Sequence, residues 1–303
     1  VVILQRKRVV IVFPGQGSIR SLESVDILKS SYALELDAKA QNVLGTSILE
    51  MMRKASAEDL LKTSYSQPIT FFLGLLSFMI LKEEKGVYVV GAAGHSLGEL
   101  TALTASGFFD IPTGFFIVSQ RARAMEAACR KNLGSMLAVI GDSPLSLSRL
   151  AGRFGVYVAN INSPNQVVYA GSIEALKAFR EEVASLGYRA VYLKVEGAFH
   201  PPLMEQAASE LKKAIRNVKV SRGAFPVVSN VDGIPYEEND VTEKLIRQIY
   251  SPVRWTDCVE YLDNLNPSIW IEAYPGNVLL KLLPDNIAGK RVGLKDLQSY
   301  EEI

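Results

Sequence analysis

An α/β fold with a central parallel sheet, interrupted by a small α+β subdomain, is the class this 303-residue sequence predicts, on three observations. Two short, continuous apolar runs, Val9–Phe13 and Gly86–Ala93, end at glycine turns, as strands buried on both faces do. The second run gives way at once to helical periodicity. Between about residues 128 and 195 the pattern becomes strand–helix–strand–strand–helix–strand, a ferredoxin-like order.

Val9-Val10-Ile11-Val12-Phe13 is rich in β-branched residues and is stopped by Pro14-Gly15, so it reads as a buried strand. The apolar stretch Ile69–Leu81, about 13 residues, reads as a buried helix, short of the ~20 that a membrane helix needs. Gly86–Ala93 is the second strand. Leu97, Leu100, Ala102, Leu103 and Ala105 then mark a helix to Ser106, with Gly107 as its C-cap. Within the subdomain, strands are expected at Met136–Ile140, Tyr157–Asn160, Gln166–Ala170 and Ala190–Val195. Helices are expected at roughly Pro144–Arg153 and Ile173–Leu186. The division is therefore a core of 1–127 and 196–303 around a subdomain at 128–195. Helices and strands resume through Val292, and Leu294–Ile303 reads as a polar tail.

The composition, 48% hydrophobic and 21% charged, is that of an ordinary globular protein. A net charge of +1 offers no global field to nucleic acid or an anionic membrane, although a local basic patch for an acidic partner stays open. Cys129 and Cys258 stand far apart without metal-ligand spacing, and only two histidines are present, so no metal site is expected. Two isolated thiols suit a reducing compartment. The apolar stretch Val1–Phe13 is broken by Arg6-Lys7-Arg8, and no secretory signal is expected from it. The expectation is a cytoplasmic protein with no nucleic-acid or membrane partner.

The sharpest chemical signal is Gly94-His95-Ser96-Leu97-Gly98, a G-x-S-x-G sequence at a strand-to-helix junction. The glycines permit a cramped turn that exposes a serine Oγ, and the following helix offers N–H groups to a developing oxyanion. The plainer alternative is a serine capping a helix. An activated serine needs a base, and His95, its immediate neighbour on the turn, points away. That leaves His200, in Glu196-Gly197-Ala198-Phe199-His200-Pro201-Pro202, unless it is a structural histidine. Gly15-Gln16-Gly17-Ser18 follows the first strand; Gln16 is placed to lend its backbone N–H to an oxyanion beside that of Leu97, although alone the motif reads as a tight turn. The dinucleotide fingerprint is not completed there. Arg121, on an amphipathic helix, suits a carboxylate through its guanidinium fork, but spacing alone favours a surface arginine.

Taken in order, these pieces resemble the malonyl-CoA:acyl carrier protein transacylase family and the related acyltransferase domains of polyketide synthases. The resemblance runs over about residues 9 to 290. It covers Phe13–Ser18, Gln67-Pro68, Gly94–Glu99, Arg121 with Met125, Ala159–Pro164, Phe199–Met204, Ser229–Gly233, and Gln248 ahead of Pro252–Trp255. No single piece is decisive; the ordered set is specific.

The resemblance implies a hydrolase-like core with a ferredoxin-like insertion, and a ping-pong acyl transfer through an acyl-Ser96 ester with His200 as base. Gln16 and Leu97 would supply the oxyanion hole, and a backbone carbonyl near Gln248 would orient the histidine. Arg121 would pair with the free malonyl carboxylate, and Asn160 and Asn162 would lie near the pantetheine channel. Phe199 resembles the residue of malonyl-accepting polyketide acyltransferases. No cofactor is implied: the acyl-CoA and the phosphopantetheinylated acyl carrier protein are the substrates. The pattern departs from the family at Ile19, at Tyr274-Pro275-Gly276 and over residues 19 to 45, which leaves the acyl donor open. These departures point to a discrete enzyme serving a polyketide or hybrid pathway. An acyl hydrolase, in which water resolves the ester, would use the same dyad. Arg121 separates the two, since a hydrolase clearing simple acyl groups has no use for a buried cation.

Overall fold

The computed structural model describes residues 7–19, 21–22 and 25–303. Residues 1–6, within the stretch read as lacking a secretory signal, lie outside them, as do Arg20, Glu23 and Ser24. Strands β1 (Arg8–Phe13), β2 (Tyr88–Gly94), β3 (Gly134–Ile140), β4 (Tyr157–Ser163) and β5 (Gln166–Ser172) come first. They are followed by β6 (Arg189–Tyr192), β7 (Val227–Val228), β8 (Val253–Arg254), β9 (Ile269–Glu272) and β10 (Lys290–Gly293). The helices up to the subdomain are α1 (Tyr32–Leu44), α2 (Ile48–Lys54), α3 (Thr63–Lys85), α4 (Leu97–Ser106) and α5 (Ile111–Lys131). Then come α6 (Ser148–Arg153), α7 (Ile173–Ser185), α8 (Glu205–Ile215), α9 (Val241–Gln248) and α10 (Trp255–Asp263).

The core sheet runs β10-β9-β1-β2-β7, all parallel. β1 is central, and its residues Val9–Phe13 are buried on both faces, which is why the run is continuously apolar. Val9, Ile11 and Phe13 pack into the layer that holds α1 to α5 and α8; Val10 and Val12 pack into the opposite layer with Trp255 and Leu262 of α10. The register pairs Phe13 with Gly94, and Ala93 with Val228. The carboxyl ends of β1, β2 and β7 therefore lie side by side.

The second sheet is ordered β6-β3-β5-β4-β8. Its first four strands are antiparallel in the ferredoxin-like arrangement. β8 adds to it in parallel from outside the inserted segment, pairing Val253 with Asn160. Two-residue strands such as β7 and β8 carry no periodicity, and the sequence gives no sign of them.

Several boundaries differ from the expected ones. The buried helix α3 is 23 residues long, because it begins ahead of Pro68 and ends only at the left-handed Gly86. Over Thr63–Glu83 it is long and apolar enough to cross a membrane, yet it is buried among the core helices. α5 carries through Lys131, past the expected subdomain boundary. Pro144–Leu147 forms a 3-10 turn ahead of the short α6. β6 stops at Tyr192, although the Leu193 N–H still donates to the Met136 carbonyl of β3 at 2.9 Å. The polar tail is not a free tail: Tyr300 is buried, and its hydroxyl lies 2.9 Å from Ser77 Oγ of α3.

Candidate active site

Ser96 sits between β2 and α4 at φ 52°, ψ −106°, in the left-handed region that a side chain rarely adopts. Its two flanking glycines are sterically required. A Cβ on Gly94 would meet Gly98 C at 1.8 Å, and one on Gly98 would meet Phe13 O at 2.0 Å. The turn thus packs backbone on backbone against the end of β1, and Ser96 is pushed out of the sheet.

Ser96 Oγ lies 2.8 Å from His200 Nε2. His200 Nδ1 lies 2.9 Å from the backbone carbonyl of Gln248. A carbonyl only accepts, so Nδ1 carries the hydrogen and Nε2 is left to accept the serine proton. Burial, and next the charge of Arg121, push the His200 pKa down to about 3, with the Gln248 bond acting the other way. The imidazole is therefore neutral at neutral pH, the form a base requires.

Arg121 reaches the same point from α5 and is not a surface arginine. It is buried, and its Nη2 donates to Ser96 Oγ at 3.1 Å and to Gln248 Oε1 at 3.0 Å. Its Nε and Nη1 are buried without a hydrogen-bond partner among the described residues. Burial lowers its pKa to about 10, so it remains a cation. Gln248 also donates from Nε2 to the Ser96 carbonyl at 2.7 Å. One glutamine therefore touches the serine backbone, the histidine and the arginine.

Gln16 lines the Ser96 cavity from the turn after β1, and its side chain is tied to Thr63 Oγ1 at 3.3 Å and to Gln67 Nε2 at 3.2 Å. Leu97 is the first residue of α4, directly after the serine. The cavity holds about 80 Å³; Met125, Met136, Asn160, Leu193, Val195 and Phe199 help to wall it. Asn160 Oδ1 is buried there without a partner among the described residues. A larger groove of about 790 Å³ over α3 contains no histidine and so no such dyad.

Asn162 is placed differently from Asn160. It lines a neighbouring cavity of about 250 Å³; its Oδ1 accepts from His95 Nε2 at 2.8 Å, and its Nδ2 donates to Gln166 Oε1 at 2.8 Å. His95 is thereby turned toward Asn162 and Trp255, away from the proton of Ser96. Tyr274-Pro275-Gly276 is not among the residues lining the Ser96 cavity. Met136, Leu193 and Val195 went unnoticed in the sequence, because only the folded subdomain brings them over the serine. Buried Glu99, one turn after Ser96, falls within the Gly94–Glu99 segment of the resemblance but was given no role there; burial raises its pKa to about 7. Its sequence signal was its place directly after the G-x-S-x-G pattern.

The chain matches the family model described as acyl transferase domain over residues 10–293. It is 35% identical over 274 residues to a malonyl CoA-acyl carrier protein transacylase of Synechocystis, covering 89% of this chain and 91% of that protein. It is 32% identical to a polyketide biosynthesis malonyl CoA-acyl carrier protein transacylase of Bacillus velezensis, covering 89% and 94%. Among solved structures, the malonyl-CoA:acyl carrier protein transacylase of Xanthomonas oryzae superposes with a TM-score of 0.91 at 30% identity, covering 98% and 97% of the two chains. A malonyl-transacylase in complex with the acyl-carrier protein of a type II polyketide synthase gives a TM-score of 0.91 at 31% identity, covering 97% and 98%.

Proposed function

This chain belongs to the malonyl-CoA:acyl carrier protein transacylase family of acyl transferase domains, and we propose that it moves a malonyl group from CoA to a carrier protein through an ester on Ser96. Ser96 Oγ attacks the thioester carbonyl while His200 Nε2 takes its proton, and the Gln248 carbonyl steadies the imidazolium that results. The backbone N–H groups of Gln16 and Leu97 receive the oxyanion. Collapse of the tetrahedral adduct breaks the C–S bond and returns the proton from His200 to the departing CoA thiol. The phosphopantetheine thiol of the carrier then attacks the ester by the same steps in reverse, and Ser96 regains its proton. CoA and phosphopantetheine are parts of the substrates, so the cycle calls on no bound cofactor and no metal. The relatives point to malonyl supply for polyketide or fatty-acid assembly, a cytoplasmic task.

The observation that carries the choice of acyl group is Arg121. A buried guanidinium with two nitrogens unpartnered among the described residues, beside a nucleophile, is costly unless a carboxylate completes it. A malonyl carboxylate supplies the counter-charge and acceptor oxygens that this cation lacks, whereas acetyl leaves the cost standing. Asn160 Oδ1, unpartnered in the cavity, suits an amide N–H of the pantetheine arm.

Intact-protein mass spectrometry after mixing with malonyl-CoA, methylmalonyl-CoA and acetyl-CoA separately, followed by a phosphopantetheinylated carrier protein, tests the reading. A malonyl adduct absent from Ser96→Ala and discharged onto the carrier is expected. An adduct that water clears as fast without the carrier would replace the transferase by the hydrolase. In Arg121→Ala, malonyl transfer should fall roughly a hundredfold, the loss of charge-assisted hydrogen bonds, with acetyl use spared. Unchanged malonyl preference in that variant would remove Arg121 from its role.

A further inference from the structure

Asn230 lies in the Ser229–Gly233 segment and takes no part in the chemistry described above. β7 pairs with β2 only as far as Val228 opposite Ala93. Two residues on, where the ladder has stopped, the Asn230 side chain continues it. Its Oδ1 accepts from Ser96 N–H at 2.8 Å, and its Nδ2 donates to the Gly94 carbonyl at 2.8 Å. The carboxamide thus grips both sides of the turn that holds the nucleophile, as a neighbouring strand would.

The asparagine is itself held from both ends of its own peptide. Its N–H donates to Glu99 Oε2 on α4, and its carbonyl accepts from Arg254 N–H at 2.9 Å. Glu99 Oε1 in turn accepts from the Tyr236 hydroxyl. Asn230 is fully buried, so neither half of the fork can be replaced by solvent.

We propose that Asn230 is the positioning residue of the nucleophile: its carboxamide holds the Gly94–Ser96 turn in the left-handed conformation that keeps Ser96 Oγ on His200 and the Leu97 N–H on the oxyanion. The reason lies in the strain at Ser96. A serine at φ 52° relaxes unless its neighbours over-determine it. Gln248 holds its carbonyl, and Asn230 holds its N–H. Without the fork, the turn retains its glycines but loses the bond that fixes the serine amide, and Oγ moves off the imidazole. Asn230 does not bond Arg121 and meets the acyl cavity only through the backbone of Ser96, so acyl-donor affinity is left alone.

The inference rests on Ser96 as the nucleophile, and the test keeps the two apart. A fluorophosphonate reads Ser96 reactivity without any acyl-CoA. Asn230→Ala should label about ten- to a hundredfold more slowly than the unaltered chain, the cost of unpairing a buried amide at the reacting turn. Malonyl-CoA affinity should change by less than about twofold, because the binding contacts are intact. Asn230→Leu keeps the side chain's size and removes both halves of the fork, so it should label as slowly as Asn230→Ala without leaving a cavity. Tyr169→Phe, which removes a buried hydrogen bond to Pro144 in the subdomain, is the stability control. Asn230→Ala labelling as fast as that control would overturn the proposal. Should Asn230→Ala not fold, full-speed labelling of Asn230→Leu overturns it instead. An unaltered chain that never labels would remove Ser96 as the nucleophile, and the proposal with it.

Discussion

At Ser96 one buried cation acts on two neighbours in opposite directions. Arg121 donates to the serine oxygen, which favours a developing alkoxide, and its charge adds to burial in holding His200 neutral. A bound carboxylate cancels that charge. The basicity of His200 should therefore rise when a malonyl donor binds and stay low with an acetyl donor. In single-turnover acylation at saturating donor, the acid limb of the pH profile should lie higher for malonyl-CoA than for acetyl-CoA. Coincident limbs would show that Arg121 and His200 are not coupled in this way. Stability follows the same groups. His200, at about 3 in the folded chain against an ordinary 6.5, contributes stability that is full above 6.5 and is lost as pH falls toward 3. Glu99 has the opposite sign: its folded value of about 7 against 4.5 gives a contribution that is full below 4.5 and is lost as pH rises through 7. Glu99→Gln removes only the second effect, so its Tm relative to the unaltered chain should climb between about pH 5 and about pH 8. A difference that stays flat would mean that Glu99 does not titrate in that window.

The nucleophile turn works as an element because its backbone is crowded from three sides. Gly98→Ala would drive a Cβ into the Phe13 carbonyl, which belongs to the central strand and has no room to retreat. A loss of roughly 1–3 kcal/mol is expected by denaturant titration, with fluorophosphonate labelling slowed as the Leu97 N–H shifts. Full stability and labelling in that variant would show that β1 and α4 are less tightly apposed. The crowding is also why this element was legible in the sequence. Two glycines around a serine, after a β-branched run and before helical periodicity, leave few other conformations. His200 was legible for a different reason, since only two histidines exist and one is adjacent to the serine. The Gln248 side chain, the Asn230 fork and the walls Leu193 and Val195 were not legible, because each acquires its role only when segments about a hundred residues or more apart are brought together, or when a ladder stops. Tyr300 is the same case: its docking on Ser77 depends on a partner 223 residues away, so a polar stretch read as a tail.

At the scale of the whole molecule, the cavity belongs to neither sheet alone. Gln16, Met125, Phe199 and His200 come from the core, while Met136, Asn160, Leu193 and Val195 come from the subdomain or its exit. Two further ties cross the same boundary. β8, ahead of the core helix α10, pairs in parallel with β4, and His95 on the nucleophile turn is bonded to Asn162 on β4. A subdomain that slid on the core by one strand register would break the Asn160–Val253 pairing, strip the His95 bond and open the acyl cavity together. The inserted segment is therefore expected to unfold with the core as one cooperative unit. Native-state hydrogen exchange distinguishes the cases: amides of β5 in the subdomain and of β1 in the core should share one opening free energy and one denaturant dependence. If β5 exchanged at low denaturant while β1 stayed protected, the subdomain would be an independent unit. The cavity above Ser96 would then be an interface that opens and closes, instead of a fixed part of the fold.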